Sequence, residues 1–241
     1  MAKQNHLLEK IVSVIAGQKK GKVLDMGCGD GKTGKRLLDL GFDVEACDMD
    51  SERFEFKGII PFTAGNLDHP LPYADGTFDY VIFMEVIEHI YNPGFVISEI
   101  SRILRPGGQI LLSTPNILNI ASRFRFLLEG SFDFFREPTL DYAKCFPVAL
   151  QNMHVVPWRY QELEYLLYQY DLVTHDFHID QKKVNLYLPL LLMRPFLWLQ
   201  AKTKEWNAKK KGSVDFARMN KILLSDDMLL GKHLIMRAVK A

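Results

Sequence analysis

Val23-Leu24-Asp25-Met26-Gly27-Cys28-Gly29-Asp30-Gly31 is the stretch on which the fold is decided. Residues 22–26 form a short apolar run that ends in glycines at alternate positions. A pattern of helical spacing then begins at Thr33, runs to Leu40 and stops at Gly41, a residue suited to the position after a helix. Glycine adopts backbone angles barred to other residues and lets a ligand approach the main chain closely. The helix that follows presents unpaired N–H groups at its start. Strand, glycine turn and helix together read as nucleotide-binding architecture; the bland alternative is a tight turn with no ligand.

The glycine spacing separates two cofactor classes. Dinucleotide sites use GxGxxG, with the pyrophosphate on the helix dipole and no carboxylate beside it. Here the pattern is GxGxG, and Asp25 closes the strand. S-adenosyl-L-methionine carries no phosphate, and its ammonium and sulfonium are cationic, so Asp25 and Asp30 suit it. A second strand is expected over Phe42–Cys47. Asp48 stands at its end, about 20 residues beyond the glycine turn, where a carboxylate accepts from ribose hydroxyls. The competing role for an acid here is a helix N-cap, which is assigned to Asp50 or Ser51.

Outward from this core, the first half alternates strand and helix. Ile59–Thr63 is a weak third strand. Tyr80–Met84 is a continuous apolar run, as expected of a strand buried on both faces. Gly94–Leu104 is helical and closed by Arg105-Pro106-Gly107-Gly108, and Gln109–Ser113 is the next strand. This order predicts a Rossmann-like, doubly wound, mostly parallel sheet. Residues 116–160 read as a helical and aromatic insertion after the fifth strand, a lid or substrate segment. Gln161–Tyr170 is helical, and Leu172–His178 and His233–Val239 are strands.

VLDMGCGDG, the acidic end of the second strand, LPYADGTFDYVIFMEVIEHI and LRPGGQILLSTPN together resemble the class I S-adenosylmethionine-dependent methyltransferases, in particular the group with ubiquinone-type and other small-molecule enzymes. The likeness covers roughly residues 20–116. It implies a seven-stranded sheet with an antiparallel C-terminal strand, S-adenosyl-L-methionine as cofactor and S-adenosyl-L-homocysteine as product. By the same resemblance Asp25, Gly27, Cys28 and Gly29 line the methionine half. Asp48 holds the ribose and Met49 packs on the adenine. Asn66 and Leu67 sit where the family reads the adenine amine. Many members carry aspartate at the position of Asn66, so Asp68 competes with it. Met84, Glu85 and Val86 face the cofactor centre.

Two histidines are candidate catalytic residues. His89 follows Glu88 just after the fourth strand and titrates near neutrality, so it can take an acceptor proton; a structural histidine is the alternative. His154 lies in Asn152-Met153-His154-Val155-Val156-Pro157-Trp158, similar to the His-plus-aromatic stretch before a late helix in related enzymes, but with the usual aromatic pair replaced. No metal-ligand spacing stands out, although scattered ligands can converge in space.

Composition narrows the partners. The 241 residues are 48% hydrophobic with a formal net charge of +1, which suits one domain and gives no footprint for nucleic acid. The expected organisation is a single domain: an N-terminal helix over 1–20, a cofactor half over 21–115, the insertion at 116–160, and sheet completion over 161–241 with an apolar and basic insertion at 184–212. Cys28, Cys47 and Cys145 show neither disulfide nor zinc spacing and read as small core residues. The N-terminus lacks a secretory signal. No run reaches the roughly 18 apolar residues needed to span a bilayer; Leu186–Leu199 comes nearest, broken by Pro189, Arg194 and Pro195. A cytoplasmic protein is expected.

Phe124, Phe126, Phe132, Phe134 and Phe135, with Arg123, Arg125 and Arg136, read as an insertion packing its own core, or else as a pocket for a lipid-like or anionic acceptor. Lys202, Lys204, Lys209, Lys210 and Lys211 read as a solvated helix face, with weak peripheral attraction to anionic lipid as the alternative. The expected reaction is methyl transfer to a small-molecule or lipid-like acceptor, at oxygen or carbon. The rivals are a cofactor-binding module without turnover, an NAD-dependent oxidoreductase, which the glycine spacing and Asp25 oppose, and an RNA or protein methyltransferase. Ser113-Thr114-Pro115-Asn116 departs from the Asn/Asp-Pro-Pro-aromatic motif expected of enzymes that methylate exocyclic amines of bases.

Overall fold

The computed structural model describes residues 2–135, 153–210 and 216–241. Arg136, Cys145 and Lys211, named above from the sequence, lie outside the described residues. Seven strands form one sheet: β1 Lys22–Met26, β2 Asp43–Asp48, β3 Phe62–Ala64, β4 Phe78–Met84, β5 Leu104–Pro115, β6 Leu172–Ile179 and β7 His233–Lys240, in the order β3-β2-β1-β4-β5-β7-β6. The first five pair in parallel. β7 runs antiparallel to both of its neighbours, β5 and β6. This is the expected doubly wound sheet. The strand order turns back between β1 and β4, the switch point outside which open α/β sheets bind ligands.

Period-two alternation explains how two cores fit on one sheet. Leu24, Met26, Val81 and Phe83 point to one face. There they meet α3 (Pro93–Ile103), through Val96, Ile97, Ile100 and Ile103, and α5 (Tyr160–Tyr168), through Leu163 and Leu167. Val23, Val44, Ala46, Tyr80 and Ile82 point to the other. There they meet Leu7, Ile11 and Ile15 of α1 (Ala2–Ala16) and Leu37 of α2 (Lys32–Asp39). The N-terminal helix thus covers the sheet through an apolar stripe at helical spacing. Asn92 caps α3 through its side chain and Pro93 occupies the first turn, where its missing N–H costs nothing.

Three local expectations are corrected. The third strand is Phe62–Ala64 rather than Ile59–Thr63, because the N–H groups of Ile59 and Ile60 both turn back to Phe56 O. No helix lies between β2 and β3 among the described residues, so neither Asp50 nor Ser51 is an N-cap. Asp50 instead closes a local turn by accepting from Glu52 N, as short acids do in turns. Helix α3 ends at Ile103 and β5 begins at once. Arg105–Gly108 lies within that strand as a register shift against β4, a bulge made possible by Gly107 at φ 76°. The apolar and basic insertion expected at 184–212 is built on a single helix. Tyr187–Lys210 is one helix, α6, running through Pro195. Of the aromatic insertion, α4 (Ile120–Glu129) is described, capped by Asn119. The short helices α7 (Ala217–Leu223) and α8 (Asp226–Leu230) precede β7.

Candidate active site

The glycine turn sits at the carboxyl end of β1 and is held by its own backbone. Gly27 N and Cys28 N both donate to Cys47 O, at 2.8 and 3.2 Å. Gly27 has φ 72°, and a Cβ there would come within 2.4 Å of Val86 Cγ2. The turn therefore packs directly against Val86, two residues beyond β4. Asp48 Oδ2 accepts from Gly29 N at 2.8 Å, and its Oδ1 accepts from Asp50 N at 2.9 Å. The carboxylate expected to hold a ribose also braces the glycine loop.

Asp25 is buried, and its Oδ2 accepts from Gly34 N at 2.8 Å. It serves the start of α2 as a cap from outside the helix; the N-cap residue, Gly31, has no side chain to do so. Burial pushes its carboxyl up to about 7, with the charges of Asp48 and Asp30 adding to the shift. A cation beside it would favour the ionised form. Asn66 Oδ1 accepts from Asp68 N, which shapes the loop after β3. Leu67 packs on the core, and Met49 is exposed.

β4 ends in Met84, and Glu85 then takes φ 55°. A non-glycine residue in this region is uncommon and tends to mark a functional site. Its N–H donates to Ser113 O, and Ser113 Oγ donates to its Oε1 at 3.0 Å. The other oxygen, Oε2, lies 3.7 Å from His233 Nε2, and His233 Nδ1 is 2.7 Å from Asp180 Oδ2. Motif reading missed Asp180, His233 and Ser113. The available clue was strand pairing: β6 and β7 are antiparallel neighbours with Ile179 opposite Leu234, which brings Asp180 and His233 together.

Residues 87–89 form a single 3₁₀ turn, and the segment carrying His154 is fastened to it. Val155 N and Val156 N both donate to Glu88 O, and Trp158 Nε1 donates to Ile87 O at 3.2 Å. The two candidate histidines meet as a result: their ring centroids are 4.7 Å apart at 76°. Phe135 packs on His154 at 5.3 Å. His89 Nδ1 lies 2.9 Å from Met153 O. A carbonyl only accepts, so Nδ1 carries the proton and Nε2 keeps its lone pair. Burial lowers the pKa of both imidazoles, and for His154 the neighbouring His89 lowers it further.

Glu88 completes the group. Its side chain is fully buried, and neither carboxylate oxygen has a hydrogen-bond partner among the described residues. Burial first, and then the charge of Glu85, push its carboxyl well above the usual range. The Thr114 hydroxyl eases the charged form in part, though it makes no well-formed hydrogen bond to Glu88. One ligand atom each from Glu88, His89 and His154 lies within 4.8 Å of the others, a donor set able to hold a metal ion. The convergence that sequence spacing did not show is therefore present in three dimensions.

Comparison with known proteins agrees with this geometry. The model of a family described as "Methyltransferase domain" matches residues 1–174. A ubiquinone biosynthesis O-methyltransferase of Photobacterium profundum is 28% identical over 161 residues, covering 59% of this chain and 68% of that protein. A protein of the same name from Thiobacillus denitrificans is 31% identical over 103 residues, but the chain spans only 44% of its length. Among solved structures, a SAM-dependent methyltransferase from Archaeoglobus fulgidus superposes with a TM-score of 0.60 over 97% of this chain and 91% of that one, at 13% identity. The chain belongs to the methyltransferase domain family, in its S-adenosyl-L-methionine-dependent class.

Proposed function

We propose that the protein transfers the methyl group of S-adenosyl-L-methionine to an oxygen or carbon atom of a small-molecule or lipid-like acceptor, beside Glu88, His89 and His154. The observation that carries this reading is the meeting of those three side chains on the turn that follows β4. Asp25, Gly27, Cys28 and Gly29 would hold the methionine half, and Asp48 and Met49 the nucleoside. Asn66 and Leu67 would border the adenine, and Met84, Glu85 and Val86 the sulfonium. The names of the two ubiquinone-pathway relatives support a small-molecule acceptor.

The chemistry asks little of the protein. The sulfonium is already an activated leaving group, so orientation and water exclusion do most of the work. A hydroxyl acceptor must also lose a proton. His89 Nε2 is the group suited to take it, because its Nδ1 proton is tied to Met153 O.

The test is methyl transfer from labelled cofactor to a panel of phenols and catechols, with and without prenyl tails. Labelling of at least one member is expected. Tight binding of S-adenosyl-L-homocysteine without transfer to any member would assign the chain to cofactor binding alone.

One observation favours a second reading of the same cluster. A buried carboxylate with both oxygens unpartnered costs stability unless something answers it. A divalent cation held by Glu88, His89 and His154 would do so, and would lower the pKa of a bound acceptor hydroxyl. Turnover abolished by a chelator and restored by manganese would support the cation. Turnover indifferent to the chelator would leave His89 as the base.

A further inference from the structure

We infer that helix α6, Tyr187–Lys210, docks the protein on an anionic lipid surface, with its apolar half in the acyl boundary and its lysine half among the headgroups. The inference is independent of the methyl-transfer reading. It rests on which way the helix faces. Leu190, Ala201 and Ala208 are buried, and Met193 and Leu197 pack on the small core of Ile120, Leu229 and Leu230. At about 100° per residue these five lie on one side. The opposite arc carries Leu188, Leu191, Leu192, Phe196, Trp198 and Leu199, all exposed; Leu192 is 68% and Phe196 72% accessible. A contiguous apolar run of this size is more than a soluble surface usually leaves uncovered, and it marks an interaction site.

Charge selects the occupant. Beyond Leu199 the exposed residues are Gln200, Lys202, Thr203, Lys204, Trp206, Asn207, Lys209 and Lys210. Lys210 Nζ lies 3.4 Å from the centroid of the Trp206 ring. The only acid in the helix, Glu205, is half-buried, where it bonds Lys202 and accepts from Asn220 of α7. The outward arc therefore offers cations and no carboxylate. A second copy of the same face brings no counter-charge, whereas an anionic headgroup layer does. Tryptophan at both Trp198 and Trp206 suits the boundary between headgroup and acyl chain. Among the described residues no helix is long and apolar enough to cross a membrane. A helix packed on the protein by its inner side, with an exposed arc apolar at one end and basic at the other, can lie in the interface instead. A surface cavity of about 440 Å³ opens along the apolar half, between Leu191, Pro195 and Trp198 on α6 and Leu224 and Leu229 beyond it.

The test uses the full chain with vesicles of phosphatidylcholine, alone or with one-third phosphatidylglycerol. The protein is expected to co-sediment with the anionic vesicles, with a blue shift of tryptophan emission that shrinks in Trp198→Phe. The triple variant Lys202→Gln, Lys209→Gln, Lys210→Gln should bind them roughly a hundredfold more weakly, at about fivefold per lysine. The double variant Leu192→Glu, Leu199→Glu should lose binding. Both variants should keep wild-type affinity for S-adenosyl-L-homocysteine, which shows that they fold. Equal binding to both vesicle types, no binding to either, or unaltered binding by the two variants overturns the inference. So does a wild-type dimer in solution that Leu192→Glu, Leu199→Glu converts to monomer, since a second copy would then own the face.

Discussion

The glycine loop and the turn at Glu88 are neighbours across the sheet, yet their polar groups are treated in opposite ways. In the loop, the acids already have partners: Asp25 with Gly34, Asp48 with Gly29 and Asp50, and Asp30 with Lys32. At the turn, Glu88 and Thr114 are buried without any among the described residues. A satisfied loop is pre-shaped, so ligand binding there spends little on ordering. An unsatisfied cluster stores a desolvation cost that a bound group can relieve. The contrast fits the proposed function, in which the loop is a rigid cofactor cradle and the turn a reactive face.

Perturbing the cradle should show its rigidity. The largest effect is expected from Gly27→Ala, which forces a side chain onto a left-handed backbone and into Val86. It should destabilise the fold by roughly 2–4 kcal/mol, read from the midpoint of chemical denaturation. A change below half a unit would mean the loop is plastic and the contrast wrong. Next, Asp48→Ala removes the brace on Gly29 together with the expected ribose partner. Calorimetry should show S-adenosyl-L-homocysteine binding roughly ten- to a hundredfold weaker; unchanged affinity would detach Asp48 from the nucleoside.

The smallest effect is a pH dependence at Asp25, whose carboxyl is raised to about 7. Below that pH the group is neutral and above it ionised, so affinity for the ligand ammonium should rise by up to about tenfold between pH 6 and 8. The apo fold should move the other way. A carboxyl raised in the native state binds protons that the unfolded chain has released, so its contribution to stability falls as pH climbs from about 4 to 7 and is then flat. Asp25→Asn should abolish both slopes.

The cradle was legible because its signals are local. β1, Gly27, Gly29 and α2 fall within one short stretch, and the apolar runs of β4 and β5 mark central strands by themselves. The reading of Asp48 as the end of β2 held for the same reason. The errors came where neighbours decided the outcome. Ile59 and Ile60 look like strand residues, but a turn claims their N–H groups. The extent of α6 through Pro195 was not legible either, because the packing of its inner stripe sets it. The face at Glu88 was half legible. Glu88-His89 and His154 each drew notice, but their meeting depends on Val155 and Val156 bonding to Glu88 O. Asp180 and His233 went unread, because only the pairing of β6 with β7 unites them.

In the proposed function, cofactor binding and transfer chemistry fall to separate groups. Single-turnover transfer of labelled methyl, measured beside S-adenosyl-L-homocysteine affinity in His89→Ala and His154→Ala, tells the two apart. Affinity is expected within about twofold of wild type, with transfer slowed by roughly a hundredfold or more in His89→Ala and a smaller loss in His154→Ala. Wild-type transfer in both variants, or affinity falling in step with rate, would overturn the assignment.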